Sequence, residues 1–256
     1  MRSLLVVLTF LVLWQVACSV FSIPAWFLPA PSAVLQALAQ DFGLLASSFL
    51  FTAKVTLGAF FLAVLFGFFI GLFSYLSRFV KDGVLPFTIL LQTTPVVSIA
   101  PLLIVWFRNN AFAALLVCAW LVCVYPMISS TYAGLGKADN NLKRLFRLYR
   151  ISPWQSLWHL ELPSALPFIL NGMRISGGLA LVGAVGAEFV AGTGGRELGL
   201  AYRLLMAAYN QETPRLFAAL CVVSVFGIMI HQLLAVLESY VLRRLRVPTH
   251  ESASAT

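Results

Sequence analysis

Few side chains in this chain could do chemistry, and two of them, Arg174 and Glu188, lie near or within one apolar run, 166–190. As a helix, the run separates them by about 21 Å and places them on roughly one face, because four turns lie between them. A charge inside a bilayer is costly and faces a bundle interior or water. Each residue therefore has two readings. Glu188 suits a solute path or a structural pair equally, and an outer mouth would also hold it. Arg174 favours a structural role, including that of a cation reaching back to the inner interface. Gln92, Pro95 and Pro101 form a second polar or irregular group. A proline frees backbone carbonyls that only protein neighbours or water satisfy in a membrane. The stretch around Pro95 and Pro101 is thus expected to be internal, as part of a translocation path or as a packing kink.

Enzymatic chemistry has little support. Gly192-Thr193-Gly194-Gly195 and Gly134-Leu135-Gly136-Lys137 both miss the spacing of a phosphate-binding loop, so the chain is expected to lack a nucleotide site of its own. No nucleophile elbow or paired carboxylate is present. Cys18, Cys118, Cys123 and Cys221 sit in apolar runs without metal or redox spacing, and His159, His231 and His250 are scattered. No metal and no cofactor is expected, and the chain reads as a non-enzyme.

The elements that must carry these residues are hydrophobic helices. Of 256 residues, 61% are hydrophobic and 10% charged, against about 25% charged in soluble domains. Apolar runs at roughly 3–22, 53–76, 84–107, 111–132, 166–190 and 215–241 have the length of membrane spans. The fold class is all-α, a polytopic membrane bundle of about six transmembrane helices, with residues 41–52 suited to a short interfacial helix. Pro24, Pro29 and Pro31 mark an extended segment after the first run. That run, Leu4 to Phe21, is followed by no clean A-x-A site and is expected to remain as an uncleaved span. One integral domain, 1–246, is expected, with 247–256 as a short disordered tail.

Lysine and arginine set the orientation. With the N-terminus inside, the inner segments carry Arg2, Arg78, Lys81, Lys137, Lys143, Arg144, Arg147, Arg150, Arg243, Arg244 and Arg246. The outer segments carry only Arg108, Arg196, Arg203 and Arg215. This bias puts both termini, and the loop 133–165, on the cytoplasmic side. The net charge of +8 sits at the ends of apolar runs, so it reads as topology and lipid contact rather than nucleic-acid binding.

The loop is the most informative segment. Asn141 to Tyr149 suits a short amphipathic helix, with Leu142, Leu145, Phe146 and Tyr149 on one face and Lys143, Arg144, Arg147 and Arg150 over the rest. Ser152-Pro153-Trp154-Gln155 reads as a capped helix start, an S-x-x-Q box with proline at the first helical position. Leu162-Pro163 is expected to end that second helix. Helix, sharp turn, helix on the cytoplasmic side suits a groove on a soluble partner, and a basic amphipathic helix lying on anionic lipid fits as well.

Taken together, FLPAPSAVLQAL (27–38), QTTPVVSIAPLLIVWF (92–107), LPSALPFILNGMRI (162–175) and VGAEFVAG (185–192) resemble the membrane-spanning permease subunits of bacterial ABC importers. The resemblance is to the branch serving nitrate, sulfonate, taurine and thiamine-pyrimidine precursors. It implies a type I importer permease in the inner membrane. The implied partners are two ABC ATPase subunits, a second permease copy (a homodimer, unless another permease substitutes) and a periplasmic or lipid-anchored solute-binding protein. It also implies that Leu142, Arg144, Leu145, Phe146, Arg147, Tyr149, Arg150, Ser152, Trp154 and Gln155 form the loop that couples to the ATPase. Three positions depart from the family's pattern. Arg144 stands at a usual glutamate, Phe146 at an alanine and Arg150 at the turn glycine, so Arg150 is either strained or sits in a turn built differently. These departures leave open a degenerate or specialised permease in a heteromeric importer. An ATP-independent channel or secondary transporter would carry an internal repeat, and none is convincing. A scaffold or cofactor-binding subunit would need axial histidine pairs or an extended interaction surface. Substrate identity is not legible, although 199–220 looks closest to the thiamine-pyrimidine type.

Overall fold

The computed structural model describes residues 2–93, 95–107, 110–191 and 199–245. Among these, helices and short turns account for the whole architecture. The expected tail, the Gly192–Gly195 loop, Arg108, Arg196 and Arg246 lie outside the described residues.

The first helix, α1 (Arg2–Val20), ends where Ser22 takes a left-handed conformation, φ 47°. There the N–H of Ile23 reaches back to the carbonyl of Cys18 at 3.2 Å. The segment after it is extended only briefly. Pro31, whose missing N–H is harmless at a helix start, opens α2 (Pro31–Gln40). The next N–H, Ser32, donates to Gln15 Oε1 of α1 at 3.1 Å. The expected interfacial helix over 41–52 is not separate. It continues into the second span as one helix, α3 (Phe42–Leu76), because nothing between Phe42 and Ala53 breaks the helical pattern.

The expected third span is broken. It comprises α4 (Arg78–Thr93), a single 3₁₀ turn (Val96–Ile99) and α5 (Ala100–Trp106). Pro95 cannot continue an α-helical ladder, and Pro101 is tolerated because it sits in the first turn of α5. After α6 (Ala111–Gly136) come α7 (Asn140–Leu148) and α8 (Pro153–Ser156). Leu162-Pro163 does not end the helix begun at Pro153. A π turn, Leu157–Glu161, joins α8 directly to α9 (Leu162–Ala191). The N–H of Leu162 bonds to Leu157 O. The wider turn lets Pro163 enter without the usual i–4 partner. Two further helices follow among the described residues, α10 (Leu200–Tyr209) and α11 (Thr213–Leu245). Among the described residues, four helical stretches are long and apolar enough to cross a membrane: Phe42–Leu76, Ala111–Gly136, Pro153–Ala191 and Thr213–Arg244. Leu5–Val20 is apolar but shorter.

The described residues fall into two compact units, one drawn from 1–54 and 185–227, the other from 55–184 and 228–256. The first packs Val34 and Ala37 of α2, Leu45 of α3, Leu200 and Leu204 of α10, and Ala218 and Ala219 of α11 into one core. The second centres on Met127 and Leu135 of α6, Leu157 of the π turn, and Ala165 and Ile169 of α9. Small residues let its helices touch closely. A Cβ at Gly71 would come within 2.7 Å of Thr131 Cβ and 2.8 Å of the Ile128 carbonyl, so only glycine fits there without a shift.

Candidate functional site

The loop between α6 and α9 is ordered by local chemistry. Asp139 caps α7 by accepting the Asn141 N–H at 2.8 Å. The helix ends in a left-handed residue, Arg150, φ 53°. Ile151 N–H donates to Phe146 O, and Arg150 N–H to Arg147 O, each at 3.0 Å. This pair of bonds is the turn in which glycine is usual at the left-handed position. Of the two readings of Arg150, the strained one holds. The capping box forms as expected, with Gln155 N–H donating to Ser152 Oγ at 3.3 Å and Ser152 N–H to Gln155 Oε1 at 3.1 Å.

No residue of α7 is buried. Leu142, Leu145 and Tyr149 are exposed, Phe146 is half-buried, and Arg144, Arg147, Arg150, Ser152 and Gln155 are exposed beside them. Leu148 is 80% exposed, Tyr149 74%, Trp154 64% and Trp158 63%. Leu148 and Trp158 belong to this surface, although the stripe of α7 did not include them. Trp158 follows Trp154 at the i, i+4 spacing of a helix, a signal already present within the expected 153–162 helix. Lys143 also has a role beyond surface charge. Its Nζ donates to Tyr75 Oη at the end of α3 (3.2 Å) and stands 5.7 Å from the ring centroid, which ties α7 to a span of the same unit. The result is a helix–turn–helix that exposes apolar and aromatic side chains interspersed with arginines.

The intramembrane candidates separate into two places. Glu188 is buried, at 4% exposure. Its Oε1 accepts from Thr52 Oγ1 at 2.8 Å and its Oε2 from Ala201 N–H at 3.0 Å, while Thr52 Oγ1 accepts from Leu200 N–H at 2.9 Å. The carboxylate and the hydroxyl thus satisfy the first N–H groups of α10, whose own cap residue, Gly199, has no side chain to do so. A Cβ on Gly199 would collide with that carboxylate. Arg174 has different partners. Its Nη2 donates to His231 Nε2 at 2.7 Å, and its Nη1 stands 3.5 Å from Glu238 Oε2, both on α11. Pro95 and Pro101 are exposed, at the break and at the start of α5. Gln92 lies on α4, with its side chain outside the described residues.

Residues 63–243 match the family model described as "binding-protein-dependent transport system inner membrane component". A probable ABC transporter permease protein of Haemophilus influenzae is 34% identical over 87% of this chain and 89% of its own length. The riboflavin transport system permease protein of Chloroflexus aurantiacus is 31% identical over 91% and 86% respectively. Permeases named for formylaminopyrimidine, aliphatic sulfonates, nitrate and taurine also match. Among solved structures, an amino acid ABC transporter superposes with a TM-score of 0.64 at 19% identity, covering 82% of this chain and 97% of that one. That likeness supports the helical fold.

Proposed function

The chain belongs to the binding-protein-dependent inner membrane components, in the nitrate, sulfonate and taurine branch of ABC importer permeases, and from this we propose that it imports a small solute under the drive of a separate ATPase. It is a multi-pass membrane protein and a transport component. Both termini and the loop 133–165 face the cytoplasm in this reading, supported by the asymmetry of lysine and arginine. Two ATPase subunits seat the loops of two permease subunits, and a solute-binding protein delivers the cargo from the other side.

The observation that carries the reading is the exposure of Leu142, Leu145, Leu148, Trp154 and Trp158 on a loop otherwise polar and basic. Aromatic and apolar side chains held this far out are anchors for a partner's pocket. Continuity from Pro153 through the π turn into Ala191 gives such a partner a lever on a membrane helix. Closure of the ATPases pushes this lever and shifts the bundle between outward and inward access.

Purification from detergent, with the chromosomal neighbours co-expressed, should bring down an ATPase. Replacing Leu145 and Phe146 by Asp should abolish that association and ATP-dependent uptake together. An intact complex in the double variant removes the loop from its assigned role, and uptake that needs no ATP returns the chain to the channel class. Solute binding by the neighbouring periplasmic protein decides the substrate, among sulfonate, nitrate, taurine and pyrimidine-precursor types.

A further inference from the structure

Arg174, His231 and Glu238, all within the second unit, form a polar island on two apolar helices. His231 lies about 27 Å from the Thr213 end of α11 and about 21 Å from the Leu245 end, at 1.5 Å per residue. A hydrocarbon layer of about 30 Å therefore encloses it. Around the island the helices expose Ile175 and Val182 on α9 and Ile228, Met229 and Leu233 on α11. The Arg174 side chain nevertheless keeps 37% of its surface open.

Three features define what this arginine can still do. Guanidinium carries five N–H donors. Within the described residues its contacts are His231 Nε2, at 2.7 Å, and Glu238, at 3.5 Å. The second distance is longer than the roughly 2.7–2.9 Å of a well-formed charge-assisted bond, so Glu238 leaves donors free. Arginine cannot accept a hydrogen bond, so in this contact His231 Nε2 is the acceptor. The island is therefore a guanidinium whose two partners both come from α11, on a largely apolar stretch where Asn171 and Gln232 are the neighbouring exposed polar side chains. Facing lipid, that arrangement would cost several kcal/mol. Facing a wet path, it presents unfilled donors in the fork geometry that takes two oxygens of one anion.

We propose that this face of α9 and α11 lines the solute path and that Arg174, oriented by His231 and Glu238, receives the anionic group of the solute, an oxyanion such as a sulfonate, carboxylate or phosphate. The inference deepens the transport reading and rests on it. The site is a way-point: Glu238 competes for the same guanidinium, so the anion is held weakly enough to leave.

Cysteine reactivity tests this without knowing the solute. Ala235 lies between His231 and Glu238 on α11, one turn from each, and Gly178 one turn beyond Arg174 on α9. Ala235→Cys and Gly178→Cys are made in a Cys221→Ser background, since Cys221 is an exposed native thiol. The full complex, in proteoliposomes, is treated with an anionic sulfonatoethyl or a cationic trimethylammonium-ethyl methanethiosulfonate. Relative to free thiol, the anionic reagent should react about tenfold faster than the cationic one. Arg174→Gln should erase the preference and Arg174→Lys should keep it. No reaction with either reagent, as for a lipid-covered face, overturns the proposal. So does oxidative cross-linking between two copies of the Ala235→Cys protein without reagent access, as does a preference unchanged by Arg174→Gln. If Arg174→Gln fails to assemble, the ratio in the Arg174 protein decides alone. ATPase co-purification is scored separately, so failure here is distinct from failure of the transport reading.

Discussion

Glu188 and Thr52 act as one cap for a helix to which neither belongs: Thr52 Oγ1 donates to Glu188 Oε1 at 2.8 Å, and together they accept the N–H groups of Leu200 and Ala201. Helix N-termini leave such donors unpaired, and α10 starts at a glycine that cannot cap it.

Truncating the carboxylate should therefore cost stability first. Glu188→Ala leaves a buried hydroxyl and a buried N–H without partners, a loss of about 1–3 kcal/mol. Gly199→Ala pushes a methyl into the same carboxylate and should also destabilise. The two perturb one contact, so the double variant should be less destabilised than the sum of the singles. Thermal unfolding of the four proteins in detergent measures this. Additive losses would mean that the carboxylate and Gly199 act independently.

Arg150 carries a backbone penalty that a single substitution removes. A left-handed residue with a Cβ costs about 1–2 kcal/mol relative to glycine, and the turn bonds from Ile151 and Arg150 depend on that conformation. Arg150→Gly should be more stable than Arg150→Ala by about 1 kcal/mol, the comparison that cancels loss of the guanidinium. Equal unfolding midpoints for Gly and Ala would contradict the left-handed turn.

Local rules were readable in the sequence where chemistry is local. Ser152 and Gln155 form the box their spacing implies, and the amphipathic helix expected over Asn141 to Tyr149 forms over Asn140–Leu148, one residue early at each end. The misreadings share a cause. Pro163 ends a regular α-helix, yet a π turn before it absorbs the missing bond, and no pattern of residue types announces a π turn. Residues 41–52 read as a separate helix because composition changes there, while the backbone has no reason to break. The partners of Glu188 stand at positions 52 and 201, and those of Arg174 at 231 and 238. Such pairings are set by tertiary packing, which one sequence does not display. The hidden helix α10, in a segment read only as an outer loop, follows from the same limit.

Tyr75 and Lys143 bind the loop helix to α3. The contact has two parts, a hydrogen bond of 3.2 Å and an ammonium 5.7 Å from the ring centre. Tyr75→Phe removes the first and keeps the second, at a cost of about 0.5–1.5 kcal/mol. Tyr75→Ala removes both. Amide hydrogen exchange across 140–148 should quicken modestly in the first variant and strongly in the second, with little change in α6. Unchanged exchange in Tyr75→Ala would show that α7 is held by something other than this pair.

Trp154 and Trp158 are exposed where an isolated chain would gain by burying them, at 64% and 63%. If the ATPase covers them, each behaves as an interface anchor, for which truncation to alanine costs about 2 kcal/mol or more, roughly thirtyfold in affinity. Ser152→Ala loosens the cap beneath Trp154 by about 1 kcal/mol and should weaken binding less than either tryptophan change. ATPase affinity measured in detergent separates these effects, because only the tryptophan variants should lose association while keeping their unfolding midpoint. Lipid contact is the competing explanation for an apolar, basic loop. It predicts the opposite order: affinity for anionic vesicles falls in the tryptophan variants while the ATPase binds as before, and that result would reassign the loop from a motor's socket to the membrane surface.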